Sequence, residues 1–305
     1  MATSTQKMKP IFTARLRESL IGYLFILPQF LGFLLFIILP VASIFLFSFQ
    51  ERNLLMGTSK FIGLDNYKFM FQSDPYFKKV LTNSLVFMAG LVPANIFLAL
   101  ALALLLSRKI AGVTFFRTLF FSPVITSVAA WIIIWKFMLQ NNLGTINQIL
   151  SLVGITGPNW LNQAPYAMIA AILTLVIKNV GLNTVIFVAA IKDIPEELLE
   201  AAKIDGANQR QTIRKIMLPL ISPSVLLATI LTVIGALSVF DHIMLLTNGG
   251  PQNSTMVLSF YMYFQAFKLY EVGYASALAV VLFLVTLGLT VVQWQLKSKF
   301  VYLEE

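Results

Sequence analysis

Cysteine is absent from the 305 residues. That excludes disulfides, thiolate metal sites and cysteine nucleophiles. Histidine occurs once, as His242, so a histidine-rich metal site is excluded too and no metal ligand set is expected. Charge is scarce: charged residues make up 11% of the chain and hydrophobic residues 58%. A soluble domain of this size cannot offer water so little polar surface, and the composition is that of a polytopic membrane protein. No G-x-x-x-x-G-K-[ST] loop occurs, so the chain has no recognisable phosphate cradle, and nothing in it looks catalytic.

What is present in abundance is long apolar runs. Six segments reach the roughly 20 apolar residues that a span needs, about 20–47, 80–106, 113–139, 166–191, 222–246 and 275–296. The expected fold class is an all-α polytopic membrane protein with six transmembrane helices. Segments 1–19 and 297–305 would flank a transmembrane domain at 20–296. The basic lead of Lys7, Lys9, Arg15 and Arg17 precedes an apolar run far longer than the roughly 7–15 residues of a signal core, so it reads as a retained first span. Pro28, Pro40, Pro93 and Pro123 fall in or near spans and read as kinks.

The net charge of +9 points to topology rather than to nucleic acid. With the N-terminus inside, fourteen Lys and Arg lie on inside segments and six on outside ones. That bias places both termini in the cytoplasm. On the outside, Met256 to Phe267 is apolar and aromatic but too short to span, and reads as an interfacial or re-entrant helix with Tyr261 and Tyr263 as interfacial anchors.

The most charged stretch is the loop at 192–220, on the cytoplasmic side between spans four and five. Pro195 suits a first helical turn. Asp193 and Glu196 have capping-box spacing. A helix to about Ile204, a turn at Gly206 and a second helix from Gln209 to about Met217 give a helix–turn–helix.

Within this loop, Glu200-Ala201-Ala202 is followed by Asp205-Gly206-Ala207 and, ten residues past Gly206, by Ile216-x-Leu218-Pro219. The pattern resembles the "EAA" loop of ABC importer permeases. Phe61-Ile62-Gly63-Leu64-Asp65-Asn66-Tyr67, Phe116-Arg117 with Pro123, Thr247-Asn248-Gly249-Gly250-Pro251 and Gly273-Tyr274-Ala275-Ser276-Ala277 look like the same family, in its carbohydrate-uptake branch of the maltose and glycerol-phosphate type. The resemblance implies a permease in a bacterial-type inner membrane. It would work with a second related permease, two ABC ATPases that bind ATP and Mg, and an extracytoplasmic solute-binding protein. Its loop residues Glu200, Ala201, Ala202, Asp205, Gly206, Ala207, Ile216, Leu218 and Pro219 would couple to the ATPase.

The solute pathway is sought among polar groups near the bilayer midplane. Lys178 stands about twelve residues from either end of span four, roughly 18 Å at 1.5 Å per residue, too deep to snorkel easily. It should face a cavity or a partner, either Asp241 or a solute. Asn179 and Asn183 flank it, Gly181 lets another group approach, and His242 follows Asp241. Trp135, one turn from Trp131, offers an aromatic face to a carbohydrate. Two readings from other classes stay open: an ion-coupled secondary transporter using Lys178 and Asp241, and a non-transporting assembly protein.

Overall fold

A computed structural model describes residues 11–107 and 112–300, leaving out the side chains of 11–15, 17 and 298–300. Parts of the two expected tails, and Arg108 and Lys109, therefore lie outside the described residues.

The chain enters through α1 (Ile11–Phe33), a π-helical stretch Leu34–Ile38 and α2 (Leu39–Ser48). The π stretch ends just before Pro40, which sits in the first turn of α2, where a missing N–H is tolerated. A β-hairpin follows, β1 (Gln50–Asn53) paired antiparallel with β2 (Thr58–Phe61), then α3 (Asp65–Gln72) and α4 (Phe77–Leu106). The hairpin is the one departure from an all-helical chain among the described residues. Asn53 Nδ2 donates to Glu271 Oε1 at 2.9 Å, and Asn66 Nδ2 donates to the carbonyls of Ser48 and Gln50, both at 2.9 Å, so the hairpin is clasped to the start of the last helix. A Cβ on Gly273 would stand 1.9 Å from the Gln50 carbonyl oxygen, so only glycine permits that approach.

Next come α5 (Val113–Ile125), α6 (Val128–Met138), α7 (Thr145–Leu152) and α8 (Ala164–Lys192). The loop after α8 holds α9 (Glu196–Ile204), α10 (Gln209–Thr212), a π stretch Ile213–Met217 and α11 (Leu218–Leu220). The chain closes with α12 (Ser222–Leu237), α13 (Asp241–Leu246), α14 (Leu258–Tyr263), a π stretch Phe264–Lys268 and α15 (Val272–Phe300).

Four helices are long and apolar enough to cross a membrane unbroken: Glu18–Ser48, Phe77–Leu106, Ala164–Lys192 and Val272–Lys297. The other two spans are bent pairs, α5 with α6 at 103°, and Gln209–Leu220 with α12 at 65°. Each bent pair counted as one span gives the six expected, but spans three and five are not the single rods that apolar length suggested. Span three breaks two residues after Pro123 and one-residue steps of extended backbone at Thr126 and Ser127 turn the chain. Span five stops at Leu237, turns through Ser238 to Phe240 and resumes as α13.

Freed backbone groups in lipid need partners, and side chains of the break supply several. Pro123 cannot donate to the Leu119 carbonyl, and Ser122 Oγ takes that acceptor at 3.0 Å. Thr126 Oγ1 donates to the Ser122 carbonyl at 3.0 Å. In span five, Ser259 Oγ donates to the freed Val239 carbonyl.

α14 corrects a second expectation. Leu258, Ser259, Phe260 and Tyr261 are buried in protein, so Tyr261 is not an exposed interfacial anchor, and the re-entrant reading of the helix stands. The Tyr261 and Tyr274 hydroxyls both donate to Asp74 Oδ2. Burial, with Asp74 alongside, pushes the Tyr261 phenol well above its usual range, so it stays a donor. The apolar residues here cover other protein, which an apolar run alone does not distinguish from lipid contact. The turn before it, Asn248 to Asn253, has backbone with positive φ at Asn248, Gly249, Gln252 and Asn253. It is pinned to α4 by Asn83 Nδ2, which donates to the Asn253 and Met256 carbonyls at 2.8 and 3.0 Å.

α8 is the axis of the bundle, packed along α4 and α5. Two apolar cores lie end to end along it. The one nearer the hairpin includes Leu91, Val92, Leu175, Val176, Val233 and Leu237. The one nearer the α9–α11 loop includes Ala99, Val180, Phe187, Ile191 and Ala228. Between them Asn95 interrupts α4, and Lys178 and Asn179 interrupt α8. Gly181 serves the packing as its small size suggests: a Cβ there would be 2.2 Å from the Phe120 carbonyl oxygen of α5. Gly181→Ala is therefore expected to cost about 1–3 kcal/mol from overpacking. A lowered unfolding midpoint in detergent checks it, and an unchanged midpoint refutes the close α5–α8 contact.

Candidate functional site

A cavity of 470 Å³ opens at the polar layer between the two cores. Lys178, Asn179 and Asn183 from α8 line it, with Asp241 and His242 from α13, Asn95 from α4 and Thr232 from α12. Five of the six residues expected in the pathway thus come together. Trp135 is not in the lining: it is half-buried beside Trp131 at 5.8 Å between ring centroids. α6 reaches the cavity with its first residue, Val128, and Trp135 lies two turns further along the helix, beyond the lining.

Lys178 has a partner other than either one expected. Its Nζ donates to the Pro123 carbonyl at 2.8 Å and the Thr126 carbonyl at 2.7 Å. These are carbonyls of the span-three break. The ammonium also lies 5.9 Å from the centroid of Trp131. Among the described residues no ion pair joins it to Asp241; the pair that does form is Lys68 with Asp65 on the surface. An ammonium has three protons, so one remains for the cavity.

Asn183 Nδ2 donates to Asn95 Oδ1 at 2.7 Å and to Thr232 Oγ1 at 3.0 Å, and Asn95 Nδ2 donates to the Val176 carbonyl at 3.3 Å. This network ties α4, α8 and α12 together across the polar layer. Asn95 and Thr232 were missed in the sequence because a lone Asn or Thr in an apolar run carries no spacing signal.

His242 is 1% exposed. Its Nε2 lies 2.9 Å from Thr174 Oγ1, which in turn donates to the Ala170 carbonyl at 2.8 Å. The direction of the Thr174–His242 bond follows the histidine tautomer. The His242 Nδ1 is buried without a protein partner. Asp241 Oδ1 accepts from the His242 backbone N–H at 2.8 Å. Asn179 and Asp241 are exposed to the cavity. The wall therefore offers an ammonium proton, an amide and a carboxylate to a ligand rich in hydroxyls.

The cytoplasmic-type loop forms the expected helix–turn–helix. α9 ends at Ile204, and Gly206 has φ +76°. The Ala207 N–H bonds the Ala202 carbonyl at 2.9 Å and the Gly206 N–H bonds the Lys203 carbonyl at 3.1 Å, the two bonds of a Schellman cap. The expected Asp193–Glu196 capping box does not form. Pro195 takes the N-cap position, with no side-chain bond, because α9 starts at Glu196 and Asp193 still closes α8. The capping box occurs instead at the second helix, where Asn208 and Gln211 bond each other's backbone N–H at 3.0 and 2.8 Å.

The loop has two faces. Ala202 is buried, and Ala207, Ile216, Leu218 and Pro219 are half-buried, turned toward the bundle. Glu200, Ala201, Asp205 and Gly206 are exposed. Ile204, missed in the sequence reading, is 86% exposed beside the turn. A large apolar side chain held in water by a rigid turn is its own signal, but burial has to be seen to read it.

Residues 75–299 match the family described as binding-protein-dependent transport system inner membrane component. The chain belongs to that family. It is 33% identical to the probable ABC transporter permease protein YesP of Bacillus subtilis over 291 residues, covering 94% of each chain. It is 33% identical to the multiple sugar-binding transport system permease protein MsmF of Streptococcus mutans, over 92% of this chain and 96% of that one. Its fold matches a crystal structure of a bacterial ABC transporter involved in the import of the acidic polysaccharide alginate, with TM-score 0.84 at 22% identity, covering 95% of this chain and 99% of that one. The chain is thus a multi-pass inner-membrane permease of an ABC importer. The ion-coupled transporter and the non-transporting assembly protein give way to it.

Family membership leaves the role of Lys178 to its own geometry. The Pro123 carbonyl also accepts the Thr126 N–H at 3.2 Å, so Lys178→Met would leave the Thr126 carbonyl of the break without a donor, at about 1–3 kcal/mol for a buried unsatisfied group. Lys178→Gln keeps N–H donors and should recover part of the loss. Equilibrium unfolding in micelles reads both, and a Met variant as stable as the parent would show that the lysine does not hold the break.

Proposed function

We propose that this permease carries a sugar, oligosaccharide or sugar derivative through the cavity at Lys178, with Asn179, Asn183, Asp241 and His242 as solute contacts. The support is the cavity itself: an uncommitted amide and carboxylate and one free ammonium proton suit a polyhydroxylated ligand. The sugar named for MsmF agrees. An acidic sugar is the favoured subclass, because Lys178 is the one cation in the lining; the alginate importer of the same fold is a parallel. Asp241, on the opposite element, limits how much negative charge the site accepts.

The exposed face of α9 and its turn, at Glu200, Ala201, Asp205, Gly206 and Ile204, is proposed as the seat of a partner ATPase. Two such ATPases would bind ATP and Mg, a second related permease would complete the pathway, and an extracytoplasmic binding protein would deliver solute. Both termini would lie in the cytoplasm, on the balance of fourteen basic residues against six. Binding of ATP would move α9, and through α10–α12 open the cavity alternately to each side.

Gly206→Pro tests the coupling. Proline cannot adopt φ +76° and lacks the N–H that caps α9. The variant should insert normally yet lose its ATPase on purification, or hydrolyse ATP without uptake. A fully coupled variant would overturn the docking assignment. Lys178→Gln tests the solute: uptake of a uronate oligosaccharide into proteoliposomes should fall at least about tenfold, equivalent to about 1.4 kcal/mol, with uptake of its neutral analogue retained. Equal loss for both would sink the acidic reading and leave the sugar reading standing.

A further inference from the structure

A second polar cavity, of 530 Å³, lies between α9 and the adjoining ends of α4, α5 and α8. Arg117 of α5, Lys192 at the end of α8 and the first residues of α5 line it, with Glu196 as the acidic side chain in the wall. Arg117 is half-buried. Its Nη2 donates to the Leu106 carbonyl at 2.7 Å, which fixes the guanidinium in place. Its Nε is buried and has no acceptor. Lys192 is exposed and makes no ion pair among the described residues. α5 begins at Gly112 with no side-chain cap and no acidic residue in its first turn, so the first N–H groups of this thirteen-residue helix also face the cavity side without intrahelical partners. A fixed guanidinium, an ammonium and an uncapped helix start line one space, and among the described residues Glu196 is the acidic side chain in its wall.

We propose that this cavity is a binding site for a phosphate-bearing group with net negative charge, held by Arg117 and Lys192 against the start of α5. Guanidinium and helix N-terminal amides are the donors that phosphate oxygens select. The apolar helices α4 and α8 end at this level, where lipid headgroups begin, so the group comes either from an anionic lipid or from a soluble phosphate ester. Leu199 of α9 and Met217 also line the space. An occupant therefore touches both the spans and the loop proposed to receive the ATPase, and would set how firmly that loop is seated. The binding itself does not depend on the transport reading.

The test uses the purified full chain in neutral detergent. Native mass spectrometry counts bound lipid during titration with phosphatidylglycerol or phosphatidylcholine, and inorganic phosphate is titrated separately against chloride at equal ionic strength with thermal unfolding as readout. Retention of phosphatidylglycerol about tenfold over phosphatidylcholine, lost in Arg117→Gln and Lys192→Gln and strengthened in Glu196→Gln, supports the site and assigns it to lipid. A phosphate-dependent rise in unfolding temperature with the same dependence on the three variants supports the site and assigns it to a soluble ester. The Lys192 side chain bonds nothing among the described residues, so its variant reports on the anion even if Arg117→Gln loosens the Leu106 contact. Binding in both titrations that ignores all three substitutions, or no binding in either, overturns the proposal.

Discussion

Two carbonyl groups and one ammonium hold this bundle in its shape. A helix broken inside a membrane exposes backbone acceptors where no water can bond them. Span three breaks at Thr126 and Ser127, and Lys178 reaches from α8 to take the carbonyls of Pro123 and Thr126. The bond works in both directions. The 103° turn of the break presents its carbonyls to a donor on α8, and those carbonyls give the lysine acceptors at mid-span. Without the lysine the Thr126 carbonyl loses its donor, and without the break the ammonium loses both acceptors.

That exchange fixes where polarity can exist. Lys178 falls between two apolar cores, and Asn95, Asn183 and Thr232 gather at the same level in a closed set of hydrogen bonds. The cavity is the part of this layer left unfilled. The groups exposed there that the network does not consume are Asn179 and Asp241, with one proton of Lys178 left over. The site is thus placed by the same hydrogen-bond demand that builds the fold, and its chemistry is what remains after that demand is met.

Much of this was legible in the sequence, for physical reasons that differ by element. Spans show themselves because lipid imposes length and apolarity on every one of them. The helix–turn–helix shows itself through Gly206, whose backbone conformation few other residues tolerate, and Lys178 through the expense of a charge so deep. What stayed hidden was direction. Apolar length cannot tell a straight span from the bent α5–α6 pair or mark which turn of α6 reaches the cavity, so Trp135 was aimed at a cavity it does not line. Nor can it tell lipid from protein, so Tyr261 read as an interfacial anchor although it is buried. The capping box was sought at Asp193 and found at Asn208, because both sequences satisfy the spacing and only the position of the helix start decides between them. The hairpin at Gln50–Phe61, clasped by Asn53 and Glu271 from opposite ends of the chain, depends on a long-range pair that no local pattern announces.

The loop after α8 leaves its two neighbouring spans by unlike joints. On one side Asp193 to Pro195 interrupts the helix between α8 and α9. On the other, helical backbone runs from Gln209 to Leu220 and meets α12 across Ile221 alone. The second joint is the shorter one, a single residue carrying a 65° bend, so a load on the proposed docking turn at Gly206 would reach α12 through Ile221. That helix bears Thr232 and ends where the cavity's Asp241 and His242 begin.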